Sequence, residues 1–577
     1  MGLQLLPTSG LDDVNFIRRV RETINNILTF TFDDSRRRTA AEVSAGVTPV
    51  NYAYPPGDVR RYGADDSGTS DSGPAFNTAY SVATALGNTI GGIIRVPAGV
   101  YKITTPVVFS STTVGYLAVK GDGPCTKIVN NVTGNPSNPC FLIQAKSPYF
   151  VFEDLQIYGN GLTGASGNGH AIAFINPDAS GVAGVTTFYP QSVILRNVFV
   201  QGHLGTGKDS AGSSTPACAV YIYGVTGHDH DSCIYYNNAI GVRVIRSEKI
   251  HFNSCTIDAN GVGVNALYID SCQNVTFDNG ILNGAGIGGA TDGCLFVVGS
   301  LQVSNNIILS KSRAKNGDPY VINLSGSASC NNHAVAITDC DLRQLDDGDL
   351  PVISAIPLNS SLTITRNNFL VVSTATTAVG VQVSGSGICV GLEISNNNFE
   401  SGSGGTYTNG ILLNSSSSIR SPIIRGNVFG NLINNAQNFT NCIQINGNCD
   451  NPLIESNLFK VATSGSTITN AISLSGGANV NWPLILRNSY DNAAGGTLTN
   501  QVNDAGSIAP VRWEGGSFTL KPSGGAGNPA ITIDSSVGTG ASTATFSATN
   551  KPGSNSSPTK WLPIKCDGTT YYVPLWT

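Results

Sequence analysis

Charge is scarce in this chain: Asp, Glu, Lys and Arg make up 12% of its 577 residues, and the formal net charge is −5. A sparse, slightly acidic balance gives no electrostatic reason to expect nucleic acid as a partner. No apolar run reaches the roughly 18 residues that a membrane-spanning helix needs. The N-terminus, MGLQLLPTSGLDDVNF, lacks a basic stretch followed by a long apolar run, so no Sec signal is expected. There is no Gly-x-x-x-x-Gly-Lys-Ser/Thr phosphate loop, no His-Glu-x-x-His and no Gly-x-Ser-x-Gly elbow. Neither a cofactor nor a resident metal is expected. The thirteen cysteines include no Cys-x-x-Cys pair. Their number is odd and several fall in place of an apolar or Asn residue (Cys255, Cys340, Cys442), which predicts buried free thiols.

What is abundant is repetition. ITRNNF (364–369), ISNNNF (394–399), IRGNVF (424–429) and IESNLF (454–459) place Phe369, Phe399, Phe429 and Phe459 30 residues apart. A fixed period of this size marks stacked units that lean on their neighbours. Within each unit the apolar residues alternate with period 2, which is a strand signal. Asn suits the turn that ends the run, because its side chain bonds nearby backbone and tolerates left-handed angles. The expected fold is all-β, a parallel β-helix with one coil per repeat. Its first strands carry Val220-x-Ile222, Val242-x-Val244, Leu267-x-Ile269, Leu295-x-Val297, Val321-x-Asn323, Ile353, Val381-x-Val383, Ile411-x-Leu413, Ile443-x-Ile445 and Ile472-x-Leu474, with Phe141 and Ile172 upstream. The 48-residue step from Ile172 to Val220 implies an insertion over 176–217. About a dozen coils give a shaft of roughly 60 Å at strand spacing.

The expected division is 1–57 as N-terminal helix and connector, 58–499 as the β-helix, and 500–577 as a small antiparallel β-domain that caps the shaft or holds chains together. Residues 12–30 are expected to form a short helix on which Ile17, Val20, Ile24 and Ile27 make either a coiled-coil seam with a partner chain or an amphipathic face packed on its own domain. Asp567-Gly568 between two strand runs signals a hairpin.

The stretches RYGADDSGTSDSGPAFNTA and GGIIRVPAGVYKI resemble the N-terminal start of the pectate-lyase-like β-helix family common in bacteriophage tailspikes. The connector TAAEVSAGVTPVNYAYPPGDV and the tail KWLPIKCDGTTYYVPLW are similar to segments of such proteins. That resemblance implies a right-handed helix, a homotrimer on a phage tail or baseplate attached through its N-terminus, and a bacterial surface polysaccharide as partner.

Three groups of residues are candidates for chemistry. Asp292, Asp318 and Asp349 each stand three residues before an apolar residue read as inward (Leu295, Val321, Val352). On that alignment they stack about 5 Å apart on adjacent coils. Paired carboxylates about 5–5.5 Å apart serve retaining glycosidases, and about 6.5–9.5 Å serves inverting ones. ATDGCLFV and NGDPYVI also resemble the Asp-bearing strand starts of polygalacturonases, but Ala290 and Pro319 depart from that pattern. Asp339 and Asp341 form a second pair, at i and i+2 of a strand, with Arg366 stacked on the first. The third group is GHDHDS (227–232) with His251, in which Asp229 stacks on His251 and Asp231 on Asn253. Each of these Asp residues also suits a turn cap. Substrate contacts are expected from Tyr221, Arg243, Tyr268 and Phe296, which point outward along one face; the same row would equally pack against a neighbouring chain.

The sequence therefore reads as a depolymerase that hydrolyses a surface polysaccharide with paired Asp. A lyase using Lys249, His251 or Arg243 and a non-catalytic glycan-binding fibre are the alternatives.

Overall fold

The computed structural model describes residues 37–504 except for short stretches, the longer of which are 86–91, 177–191, 286–292, 326–333, 345–350, 372–377 and 431–437. Beyond these it describes the strands at 512–514, 518–520, 532–533, 560–566 and 569–575. The expected helix at 12–30 lies outside the described residues. Two compact units divide at Thr532/Ile533.

The first unit is a parallel β-helix. Its walls are a 28-stranded sheet, a 16-stranded sheet and a short 4-stranded sheet. One coil shows the plan. Thr406–Ser415 runs in the 16-stranded sheet, Ile419–Arg420 in the 4-stranded one, and Ile423–Arg425 and Val428–Phe429 in the large one. Each strand pairs in parallel with its counterpart one coil away. Phe369 lies beside Phe399, Phe399 beside Phe429, and Phe429 beside Phe459. Their rings stack at centroid spacings of 4.5, 4.8 and 5.3 Å. Tyr490 continues the stack at 5.3 Å. Every ring in the series of four Phe is wholly buried, and each burial stabilises the coil by about 2–3 kcal/mol.

The bend between the last two strands of each coil is an unbroken column of left-handed residues. It runs Asp154, Asn197, Ser232, Ser254, Asn279, Lys311, Asp339, Arg366, Asn396, Gly426, Ser456 and Arg487. From the coil of Cys340 onward the next residue points inward and links one coil to another. From Asn367 to Asn488 this position is always Asn. Asn367, Asn397, Asn427 and Asn457 each donate Nδ2–H to the Oδ1 of the next Asn at 3.0 Å. Each also donates to a buried Ile carbonyl of the preceding coil, as Asn427 does to Ile394 at 2.9 Å. Upstream the same position holds Cys233, Cys255 and Cys340, whose thiols donate to backbone carbonyls at 3.3–3.6 Å. These cysteines are free and buried.

The first coil is closed by the helix Gly73–Thr84. Phe76 packs edge-on against Phe141 at 6.0 Å, and Tyr80 lies 4.8 Å from Phe109. A helix over the terminal rung removes an otherwise open sheet edge. The connector is fastened here too. The short helix Ala40–Ser44 carries Glu42, fully buried, whose carboxylate receives Arg61 Nη2 at 3.0 Å and the Tyr62 hydroxyl at 3.1 Å.

Several expectations change. The stretch 176–217 is not one insertion, since Val193–Gln201 is a regular rung pairing with Tyr149–Tyr158 and Thr226–Asp231. Only a hairpin, Thr206–Lys208 with Ser214–Pro216, interrupts the described part of that coil. The shaft also outlasts residue 499. Thr497–Asp504 pairs in parallel with Thr467–Leu474, then Phe518–Leu520 and Arg512–Glu514 add to the walls. In the second unit, Lys560–Cys566 and Thr569–Leu575 form the expected antiparallel hairpin.

Candidate functional site

The outward face of the 16-stranded sheet holds the candidate binding surface. Ladder register sets Tyr221 beside Arg243, Arg243 beside Tyr268, Tyr268 beside Phe296 and Phe296 beside Asn323. The row is thus continuous over consecutive rungs, as expected. Arg243 lays its guanidinium 4.7 Å from the Tyr268 ring centroid. Tyr268 and Phe296 follow at 5.2 Å. Burial, with Asp270 adding to it, pushes the Tyr268 phenol up to about 12, so it is a neutral donor. Two residues along the same strand, Asp270 is only 6% exposed and accepts the Ser271 hydroxyl at 2.7 Å. Asp270 was not foreseen, although the YID spacing puts it on the same face as Tyr268.

Tyr221 differs from expectation. It is on the outward side but wholly buried, in an outer apolar cluster with Ala173, Cys218, Tyr223, Ile240 and Ile245. His170 stacks on its ring at 4.9 Å and 11°. The His170 ring is held by Lys208 O at 3.1 Å and by the Cys218 N–H at 2.9 Å. Tyr221 is therefore packing under the hairpin; Phe296 and Asn323 are buried as well, and the accessible part of the row is Arg243 and Tyr268.

Asp292, Asp318 and Asp349 lie outside the described residues. The ladder beside them pairs Leu295 with Ile322 and Ile322 with Ile353. Val321 is therefore not the partner of Leu295, and the alignment that stacked the three Asp is displaced by one residue. They still precede, in sequence, the successive strands Gly293–Val298, Tyr320–Leu324 and Ile353–Ala355 of this face.

Asp339 and Asp341 do not share a strand face. Asp339 is a left-handed turn residue, and a new strand begins at Asp341. Arg366 grips Asp339 with two hydrogen bonds, of 2.7 and 2.8 Å. Those bonds hold the Asp339 carboxyl below its ordinary range. Asp341 receives Arg313 at 3.1 Å and Arg343 at 2.8 Å. Both are ion-paired carboxylates, and Asp339, held low by Arg366, is unsuited to carrying a proton to a leaving group.

The His/Asp group keeps its expected register. Asp229 pairs with His251, and Asp231 with Asn253. Strand alternation splits it, however. His228 and His230 face the core, wholly buried or nearly so, while Asp229 and His251 are exposed. His251 Nδ1 shares a 2.6 Å hydrogen bond with Thr276 Oγ1. Asp231 receives Asn253 Nδ2 at 3.0 Å and lies 3.7 Å from Arg196. No group of three or more His, Cys, Asp or Glu arranged to hold a metal occurs among the described residues.

Two polar clefts at the other end of the shaft were also not foreseen. One, of about 710 Å³, is lined by Gln382, Ser384, Asn414, Ser416, Asn446 and Asn448, among others. The second, of about 460 Å³, is lined by Arg420, Ser421, Asp450, Asn451, Asn481 and Trp482.

No protein-family model and no curated protein sequence matches this chain. Solved structures sharing the parallel β-helix include tailspikes and other glycan-active proteins. One is a double mutant of the tailspike protein of E. coli bacteriophage HK620, with 14% identity, TM-score 0.49, and coverage of 79% of this chain and 80% of that one. Tailspike protein 3 of bacteriophage CBA120 has 14% identity and TM-score 0.39, covering 89% of this chain and 67% of that one. The catalytic unit of a GH87 alpha-1,3-glucanase from Streptomyces thermodiastaticus has 14% identity and TM-score 0.41, covering 76% and 68%.

Proposed function

We propose that this chain is a tailspike-type protein that binds and depolymerises a bacterial surface polysaccharide. The observation that carries the reading is the row Arg243, Tyr268, Phe296 and Asn323 on consecutive rungs, with Asp270 beside it. The half-buried Tyr268 ring, backed by the Arg243 cation, offers a sugar an apolar face, and its phenol a hydroxyl partner. In this reading the chain works as a homotrimer on a phage tail, attached through residues 1–57.

The proposed reaction is glycosidic hydrolysis by aspartates at the strand starts of this face, Asp292 and Asp318 first and Asp349 third. One, kept protonated, gives its proton to the leaving oxygen; a second, ionised, activates water or attacks the sugar. The test is incubation of isolated capsule and lipopolysaccharide with the chain, followed by mass spectrometry of released fragments. Asp292→Asn and Asp318→Asn are expected to abolish release and leave binding and the sedimentation coefficient unchanged; full release by both variants rejects the assignment.

A second reading is β-elimination on an acidic capsule. The exposed His251, with Asp229 one rung away and Thr276 on Nδ1, favours it, since an oriented imidazole is a usable base. Its product absorbs ultraviolet light through a new conjugated double bond, and a hydrolase product does not.

A further inference from the structure

Among the described residues, the last member of the second turn column is a tryptophan. Gly391, Ser421, Asn451 and Trp482 occupy one position on successive coils, and all have positive φ. The first three are small or short polar residues, which tolerate left-handed backbone. Trp482 is held at φ 51° while 63% of its side chain surface is exposed. A bulky side chain in that conformation costs about 1–2 kcal/mol, and packing does not recover it here.

Polar groups surround the exposed ring. Arg420, Asp450 and Asn481 lie side by side on three coils. Asp450 accepts the Ser418 hydroxyl at 2.6 Å and Asn481 Nδ2 at 2.7 Å. These bonds keep its carboxyl below the ordinary range and therefore ionised. In the larger cleft Asn448, two residues before Asp450, donates its Nδ2–H to Ser416 O at 2.8 Å. Amide and hydroxyl groups dominate its lining.

We propose that Trp482, with Arg420, Asp450, Asn451 and Asn481, forms a second saccharide-binding site, for an uncharged pyranose unit of a polysaccharide. The flat indole meets the C–H face of the ring, and the amides and carboxylate meet its hydroxyls. One cation and one anion on adjacent rungs balance each other, which favours a neutral unit over a uronate. A second copy of this chain is the competing occupant. Protein interfaces are depleted of charge at their centres, whereas five of the six residues lining this cleft are polar or charged. The inference rests on the glycan-binding reading above but not on the catalytic residues. The cleft lies several rungs along the shaft from Tyr268.

The experiment is affinity electrophoresis in gels containing polysaccharides isolated from a panel of bacteria. Full-length chain, Trp482→Ala, Trp482→Phe and Tyr268→Ala are compared, with sedimentation of each. Trp482→Ala should weaken retardation at least tenfold with an unchanged sedimentation coefficient, and Trp482→Phe should retain most of it. Retardation by Trp482→Ala equal to that of the parent sinks the second site, and a simultaneous loss with Tyr268→Ala alone leaves the first reading intact. A change of oligomeric state in Trp482→Ala assigns the ring to a subunit contact and overturns the proposal. Failure of every polysaccharide to retard the parent overturns both readings.

Discussion

Arg366 and Asp339 are consecutive members of the left-handed turn column, and the guanidinium of one holds both carboxylate oxygens of the other, at 2.7 and 2.8 Å. A carboxylate so engaged is a tie between rungs. Asp339→Asn and Asp341→Asn should therefore release oligosaccharide at rates within about twofold of the parent. Loss of tenfold or more, measured as reducing ends released from a cleaved polysaccharide, would return these residues to the catalytic list.

The Asn ladder predicts a different loss. Asn427 makes and receives amide bonds in both directions while wholly buried. Asn427→Ala leaves partners on two coils unsatisfied, at about 1–3 kcal/mol for each buried group. Asn427→Asp should be worse, since a buried charge would replace two donors with none. Midpoints of guanidinium unfolding measure both; equal midpoints for the parent and Asn427→Ala would show that the ladder is dispensable.

Acid should weaken the shaft through its buried histidines. Burial pushes His203 and His230 down to about 3 and His228 well below the usual value of 6.5. No hydrogen-bond partner reaches either ring nitrogen of His228. The unfolded chain takes up these protons below pH ~6.5 and the folded chain does not, so stability falls as pH drops from ~6.5 towards ~3. Each histidine contributes a slope of about 1.4 kcal/mol per pH unit. In His228→Leu the pH dependence between 6 and 4, followed by denaturant titration, should shrink by one proton; an unchanged slope contradicts the burial argument.

Glu42 and Arg61 are both fully buried and lock the connector onto the first coil. Removing one partner, as in Arg61→Met, should cost about 3–5 kcal/mol because the other charge is stranded. The loss should appear as rapid proteolysis near residues 39–45 with the distal coils still protected. Uniform protection in the variant would show that the connector is held by other contacts.

The repeat itself was plainly legible, because Phe and Asn recur every 30 residues and a buried ladder tolerates little else there. The outward row from Arg243 to Phe296 was legible for the same reason. Register failed at one coil with an identifiable cause. The residue just before each inward one is also buried, and is small in Ala219, Ala266 and Cys294. In the next coil that place is taken by Val321, which reads as the inward residue when Ile322 is. Period 2 cannot separate two adjacent apolar residues. Asp339 and Asp341 misled because the strand breaks between them at a left-handed turn, which the alternating pattern conceals. The burial of Tyr221 depends on His170 and a hairpin at 206–216, contacts that no local spacing encodes. Trp482 was missed because its significance comes from the column above it, which holds Ser421 and Asn451.

Cysteine and asparagine share one slot in the column of inward ladder residues, and this has a chemical corollary. Burial pushes the thiol of Cys340, in that slot, up to about 12, and does the same to Cys218 and Cys272 elsewhere in the shaft. Nucleophilic attack and oxidation both need the thiolate, and at neutral pH these sulfurs have almost none. At Cys218, Cys272 and Cys340, therefore, a reducing cell and an oxidising medium would leave the same free thiols.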